Sequence, residues 1–146
     1  MPTVKGCNLP DELLYDVENQ IWFKELGDGT VKIGMTSVAT AMAGKLVAYT
    51  PKGVGKEVKA GKSCATVESG KWVGPAKTAA GGTVVAINDA LAATPSLANS
   101  DPYGEGWLVV LKPEDWAGVK TSLTPGAQVA APYEAKMTAD GFAGCA

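Results

Sequence analysis

A mainly β fold, an all-β barrel or sandwich with helical trimmings at its ends, is predicted by three features of the sequence. Short β-leaning segments follow one another at close spacing, glycine-rich turns separate them, and helical signals are confined to brief stretches and the C-terminal region. With 146 residues, 46% hydrophobic and 19% charged, the chain is expected to form one domain, 1–146, around a modest core.

Taken in order, residues 21–26 (IWFKEL) and 30–35 (TVKIGM) are strand candidates, and Gly27-Asp28-Gly29 between them is a hairpin signal. Thr36 or Ser37 can cap a short helix over 38–43 that Gly44 ends. Residues 45–50 read as a strand stopped by Pro51. Gly53, Gly55 and Gly61 then punctuate short extended pieces, of which 63–68 is the clearest. Lys71 and Trp72 follow, then a small-residue stretch read as a linker, then a strand over 83–88. A polar, proline-bearing loop, DALAATPSLANSDPYGEG, leads to the strand 107–112. Pro113-Glu114-Asp115-Trp116 begins a helix, with proline in its first turn and acids at its positive end. Residues 125–146 are Ala-rich and expected to be partly helical, interrupted by Pro132 and mobile from about Gly141 onward.

Composition removes several function classes. The net charge of −2 gives no general attraction to nucleic acid or to anionic membranes, although lysines cluster at 52, 56, 59, 62, 71 and 77. There is no histidine. Ser-His-Asp and Cys-His nucleophile systems are therefore excluded, together with the commonest metal ligand. Cys7, Cys64 and Cys145 lack C-x-x-C spacing, so neither zinc nor thioredoxin-like chemistry is indicated. The N-terminus lacks the apolar core of a signal peptide, and no run approaches the roughly 20 apolar residues of a membrane span. The expectation is a soluble, cytoplasmic monomer with reduced thiols.

One turn residue stands out. In VESGKWVGPAKTAAGGTVVAIN the β-leaning segment ends at Ser69, and Lys71 sits between Gly70 and Trp72. Turns usually take Gly, Asn or Asp. Segments 58–68 and 82–91 flank Lys71 as two arms, which suits a two-sheet sandwich with Lys71 at a hairpin tip. Paired strands fix where such a side chain projects, and a primary amine on a long stem suits covalent attachment. A Schiff-base role needs a desolvating pocket, which an exposed turn does not provide. A solvated charge is the plainer reading.

Over about residues 12–121 the chain resembles the H-protein of the glycine cleavage system, a lipoyl carrier. GMTSVATAMAGKLVAYTP resembles that family's helix-and-strand segment. VGKEVKAGKSCATVESGK resembles the approach to the modified lysine. GGTVVAIN resembles the return strand, with Gly82 eleven residues after Lys71, and NSDPYGEGWLVVLKPEDW is nearly the family pattern. The resemblance implies a lipoyl-type barrel-sandwich hybrid of two small antiparallel sheets. It also implies a non-catalytic carrier with lipoate in amide linkage on Lys71. Glu68, Ser69, Gly70 and Trp72 would flank the attachment site and mark it for a lipoate–protein ligase or other lipoylation enzyme.

Departures from the family cluster around that lysine. The usual Val-Lys-Ala is Gly70-Lys71-Trp72, and the early Lys-Glu-His-Glu-Trp is replaced by Val17-Glu18-Asn19-Gln20-Ile21-Trp22, without the histidine. In this the chain is also similar to the lipoate-binding proteins of heterodisulfide-reductase-like sulfur oxidation systems. The expectation is therefore an arm carrying sulfur intermediates, served by such a complex and by dihydrolipoamide dehydrogenase-type enzymes. The alternative is an aminomethyl carrier served by the P-, T- and L-proteins of glycine cleavage, and a second alternative is a β-barrel interaction domain with Lys71 unmodified. Cys64, on the strand leading to Lys71, reads as a small buried thiol. Cys7 and Cys145 would pair or exchange sulfur with the arm if the termini meet. Otherwise they are two exposed thiols, with no basic neighbour to lower either pKa.

Overall fold

A computed structural model describes residues 3–145. The chain opens with a ribbon, β1 (Thr3–Val4) against β2 (Cys7–Asn8), turned by Lys5 and Gly6 at positive φ. Next come β3 (Leu14–Asp16), β4 (Ile21–Glu25), β5 (Val31–Met35), α1 (Ser37–Ala43), β6 (Leu46–Pro51), β7 (Glu57–Val58), β8 (Lys62–Ser69), β9 (Val73–Thr78) and β10 (Gly82–Ile87). Two short helices, α2 (Asp89–Ala93) and α3 (Leu97–Ser100), precede β11 (Val109–Pro113). The chain finishes with α4 (Trp116–Ser122), β12 (Thr124–Pro125), a single 3-10 turn at Gly126–Gln128 and α5 (Ala130–Ala139).

The mainly β class is as expected, with every strand pair antiparallel. The sheets are unequal. One has seven strands in the order β12-β3-β4-β5-β11-β10-β7, and the other has three, β6-β8-β9. Neither closes into a barrel. The main core lies between them, with Phe23, Ile33 and Leu111 from the large sheet and Leu46, Tyr49 and Val67 from the small one. A second core forms on the far side of β4, where Trp22 packs with Tyr15, Val38, Tyr133 and Met137. Successive strand residues point to opposite faces, so Ile21 and Phe23 enter the first core and Trp22 the second. That is why IWF is buried without a break. Trp22 donates from Nε1 to the Pro102 carbonyl at 3.0 Å. Its ring lies where a Cβ on Gly34 would stand 2.4 Å away, so only glycine fits there.

Several predicted elements hold in detail. Gly27 and Gly29 take positive φ in the β4–β5 turn, and the Thr36 hydroxyl caps α1 by accepting from the Ala39 N–H. Others are corrected. The stretch after Trp72 is the strand β9, not a linker, and it supplies the return arm of the Lys71 hairpin. Of residues 82–91, the other predicted arm, Gly82–Ile87 form β10 in the other sheet, paired with β11 and β7, and the remainder caps and opens α2. Pro75 hid that strand. It is tolerated because β9 is an edge, where an absent N–H breaks no ladder. The loop 89–106 contains α2 and α3. Buried Asn88 caps α2 through the Leu91 N–H and donates from its amide to the Glu105 and Trp107 carbonyls. Pro113 ends β11, and Asp115 caps α4 without any acid in the helix's first turn. Pro132 falls in the first turn of α5, where its missing N–H has no helical acceptor, and the helix runs on unbroken.

The C-terminus is also corrected. Residues expected to be mobile fold back on the N-terminal ribbon. The Cys145 N–H donates to the Lys5 carbonyl at 2.9 Å, and Cys7 and Cys145 form a disulfide with Cα atoms 5.1 Å apart. These are not two exposed reduced thiols. Cys64 is the small buried thiol expected, 0% exposed, and burial pushes its pKa up to about 12.

Candidate functional site

Lys71 stands at the apex of the β8–β9 hairpin, where Glu68 pairs with Val73 and the Ser69 N–H donates to the Trp72 carbonyl at 2.7 Å. Neither Gly70 nor Lys71 has positive φ, and a side chain at Gly70 would meet open space. The tip therefore does not need glycine at position 70. Glu68 is exposed on the outer face of the small sheet. Ser69 is buried, 5% exposed, so it holds the tip instead of presenting an address. Its hydroxyl donates to the Ala43 carbonyl at 2.6 Å and accepts from the Lys71 N–H at 3.3 Å. The hairpin is thereby bolted to the last turn of α1.

Gly44, which ends α1, is the seat of the lysine stem. It has φ 85 and ψ −176, a region open essentially to glycine alone. A Cβ there would also stand 3.0 Å from Lys71 Cε. Asn99 fixes this corner by donating to the Gly44 carbonyl at 2.8 Å and accepting from the Leu46 N–H at 2.9 Å. Gly44→Ala is expected to cost about 1–3 kcal/mol from the backbone alone and to displace the lysine, which thermal melts and acylation rates at Lys71 would register together.

Beside the stem opens a cleft of about 480 Å³. Ala39, Met42 and Ala43 of α1 line it on one side, Ile21 and Met35 form the floor, and Val67, Trp72 and Pro75 of the hairpin close the other side. Gln20 lies at its rim with φ 60. The Gln20 carbonyl oxygen accepts from the Thr36 N–H at 3.2 Å, its side-chain oxygen accepts from Tyr133 Oη at 3.1 Å, and its amide donates to Met42 Sδ at 3.5 Å. Trp72 is 41% exposed and both packs on the hairpin and faces the cleft. Its ring lies 2.4 Å from where a Cβ on Gly74 would be.

The structure thus brings Glu68, Ser69, Gly70, Lys71 and Trp72 together at one tip. The Cys7–Cys145 disulfide lies elsewhere, with Cys145 Sγ 3.8 Å from the Ser37 carbonyl at the opposite end of α1. The loop Asp101–Gly106 is structural, since Tyr103 Oη donates to the Asn8 carbonyl and accepts from the Ser37 N–H. Sequence reading missed the seat at Gly44 and the cleft wall. Ala39, Met42 and Ala43 have the i, i+3, i+4 spacing of one helical face, but nothing local says which hairpin that face meets. Among the described residues no group of three or more His, Cys, Asp or Glu could hold a metal ion.

The arrangement suits one chemistry, an exposed primary amine offered as an acyl acceptor. Among the described residues the Lys71 amine has no hydrogen-bond or ion-pair partner. An apolar cleft lies within reach of anything attached to it.

The profile of the glycine cleavage H-protein family matches residues 13–136. Glycine cleavage system H protein 5 of Aquifex aeolicus is 53% identical over 127 residues, covering 84% of this chain and 85% of that protein. Probable glycine cleavage system H protein 2 of Sulfurisphaera tokodaii is 40% identical over 131 residues, 88% of each chain. The crystal structure of a glycine cleavage system H protein from Mycobacterium marinum superposes with a TM-score of 0.74 at 32% identity, covering 91% of this chain and 99% of the other.

Proposed function

The chain belongs to the glycine cleavage H-protein family, non-catalytic carriers with lipoate covalently held on a lysine, and from that premise we propose that Lys71 is the attachment point and the aminomethyl group of glycine cleavage the cargo. The observation that carries the assignment is the Lys71 amine itself, without a partner among the described residues, at a tip that two strands and α1 hold from three sides. The residues present fit the group. The amine is an acyl acceptor, Gly44 leaves room for the stem, and Met35, Met42, Ile21 and Trp72 offer an apolar wall to a sulfur-containing ring.

When attached, the lipoyl group supplies a redox-active disulfide that accepts cargo and passes it on. The protein's part is positional. Ser69 and Ala43 fix the direction in which the stem leaves the hairpin, and the cleft shelters apolar surface from water between visits to partners. Met42 and Gln20 set the polarity of the rim. Partners consistent with this reading are a lipoylation enzyme and the P-, T- and L-proteins.

The relatives found are named for glycine cleavage, which favours the aminomethyl cargo over the sulfur cargo suggested by the departures around Lys71. The sulfur reading keeps one kind of support. Gly70, Trp72 and Gln20 differ from the usual family residues at the tip and the cleft rim. Loading separates the two. Lipoylated protein incubated with glycine decarboxylase, pyridoxal phosphate and glycine is expected to gain one aminomethyl mass. A lipoylated protein that never loads would remove the glycine assignment while leaving the carrier assignment intact.

A further inference from the structure

Acylation changes the electrical character of the cleft beside Lys71. Among the described residues that line it, Lys71 is the one that carries a charge, and an amide on its nitrogen removes that charge. The carboxylates close by in sequence do not enter. Glu68 is exposed on the outer face of the small sheet, and Val67, its neighbour on the opposite face, lines the cleft. Glu18 is exposed. Asp16 is engaged with Asn19, accepting from its N–H at 3.2 Å and from its side-chain amide at 2.8 Å. Lys45, one residue past Gly44, is exposed as well.

Neutral acceptors are also engaged. A helix ends in carbonyl oxygens that would suit a cation. At the end of α1, however, the Thr40 carbonyl accepts from the Gly44 N–H at 3.0 Å, the Ala43 carbonyl from the Ser69 hydroxyl and the Gly44 carbonyl from Asn99. At the rim, Gln20 Oε1 accepts from Tyr133 Oη, and Nε2 is turned to Met42 Sδ. Trp72 has a ring face to offer, with Gly74 packed against that ring. The attraction of a cation to an exposed ring is small beside the loss of its hydration. What remains is Ile21, Met35, Met42 and Val67, hydrocarbon and thioether surface that favours a neutral, sulfur-containing ring.

We propose that the cleft selects the arm by its charge. It receives an arm ending in a neutral group and turns away one ending in an ammonium, and the uncharged amide of Gln20 at the rim sets that choice. The inference rests on Lys71 being the lipoyl anchor and deepens the carrier reading. The protein thereby shelters the arm between loadings and leaves a protonated amine cargo in solvent, open to the next enzyme.

The test uses the full chain with isotope-labelled methionine methyls. Lys71 is acylated by a lipoylation enzyme from the adenylate of lipoate, octanoate or ω-aminooctanoate. The last two arms share their length and amide link and differ in terminal charge at pH 7, where an alkyl ammonium stays protonated. In NMR spectra Met35 on the floor and Met42 at the rim report occupancy, and Met137 in the second core is the internal control. Lipoyl and octanoyl arms are expected to shift the Met35 and Met42 signals. The aminooctanoyl arm is expected to occupy the cleft about tenfold less, with Met137 unmoved throughout. Gln20→Glu gives the rim a carboxylate of the same size and is expected to raise aminooctanoyl occupancy to within about twofold of octanoyl. Met42→Glu places the same charge beside it, with Met35 as reporter, and is expected to act alike. Thermal melts confirm that each variant is folded.

Equal occupancy by the octanoyl and aminooctanoyl arms in the unaltered protein would overturn selection by charge. A Met35 signal indifferent to every arm would overturn the cleft as its seat. Continued exclusion of the aminooctanoyl arm by both folded carboxylate variants would overturn the part given to Gln20. Absence of any acyl mass on Lys71 would remove the anchor, and this inference with it. Failure to load from glycine would remove the aminomethyl cargo alone, because the acyl probes need no glycine.

Discussion

Lys71→Arg is expected to fold normally and to gain no lipoyl mass under conditions in which the unaltered chain is fully acylated. The guanidinium keeps the length and charge of the side chain but remains protonated at any accessible pH and is no acyl acceptor. The position is exposed, and its amine has no partner among the described residues, so stability should change by no more than about 0.5 kcal/mol. Intact-mass measurement with a thermal melt reads both quantities on one sample. Lys77→Arg, on the same hairpin, is the control and should be acylated like the parent. A lipoyl mass on Lys71→Arg would mean that the amide forms on another lysine.

The second large effect lies at the termini. The Cys7–Cys145 bond closes a sequence separation of 138 residues, nearly the whole chain. Chain-entropy arguments assign a bridge of that span about 3–5 kcal/mol. Cys7→Ala/Cys145→Ala, or dithiothreitol treatment of the parent, is expected to lower the melting midpoint by roughly 10 °C. Iodoacetamide should label no cysteine in the native oxidised protein, since Cys64 is 0% exposed with its pKa pushed up to about 12. After reduction the half-buried Cys145 should take a label, ahead of Cys7, which is 1% exposed. A label on Cys145 without reductant, or a midpoint indifferent to dithiothreitol, would contradict the bridge. Acylation of Lys71 should survive below the new midpoint, because β8–β9 pairing and the Ser69–Ala43 bond hold the tip independently of the termini.

Local chemistry made much of this molecule legible. Gly27-Asp28-Gly29 and Thr36 with Gly44 announce a hairpin and a capped helix through backbone requirements that hardly depend on context. Lys71 was legible because lysine is an unusual choice beside a tight turn, and because four motifs appear in order around it. Tertiary placement was not. Pro75 in β9 looks like a strand breaker until β9 is known to be an edge, and edge or centre is decided by strands far away in sequence. Ser69 read as a recognition residue, but whether its hydroxyl faces solvent or the Ala43 carbonyl depends on where α1 lands. The termini were read as loose because terminal segments usually are. What ties them down is a cysteine pair at opposite ends of the chain, and spacing alone cannot distinguish a pair from two singles.

The edge position of β9 also bears on how the protein behaves in company with itself. A free strand edge is an invitation to pair with a second copy. On β9, Pro75 removes an N–H from the row and exposed Lys77 places a charge two residues on. At the far side of the small sheet, β6 closes on Pro51. The strand that returns from Lys71 is thus a poor template for stacking, and the hairpin can stay solvent-facing without inviting a second copy.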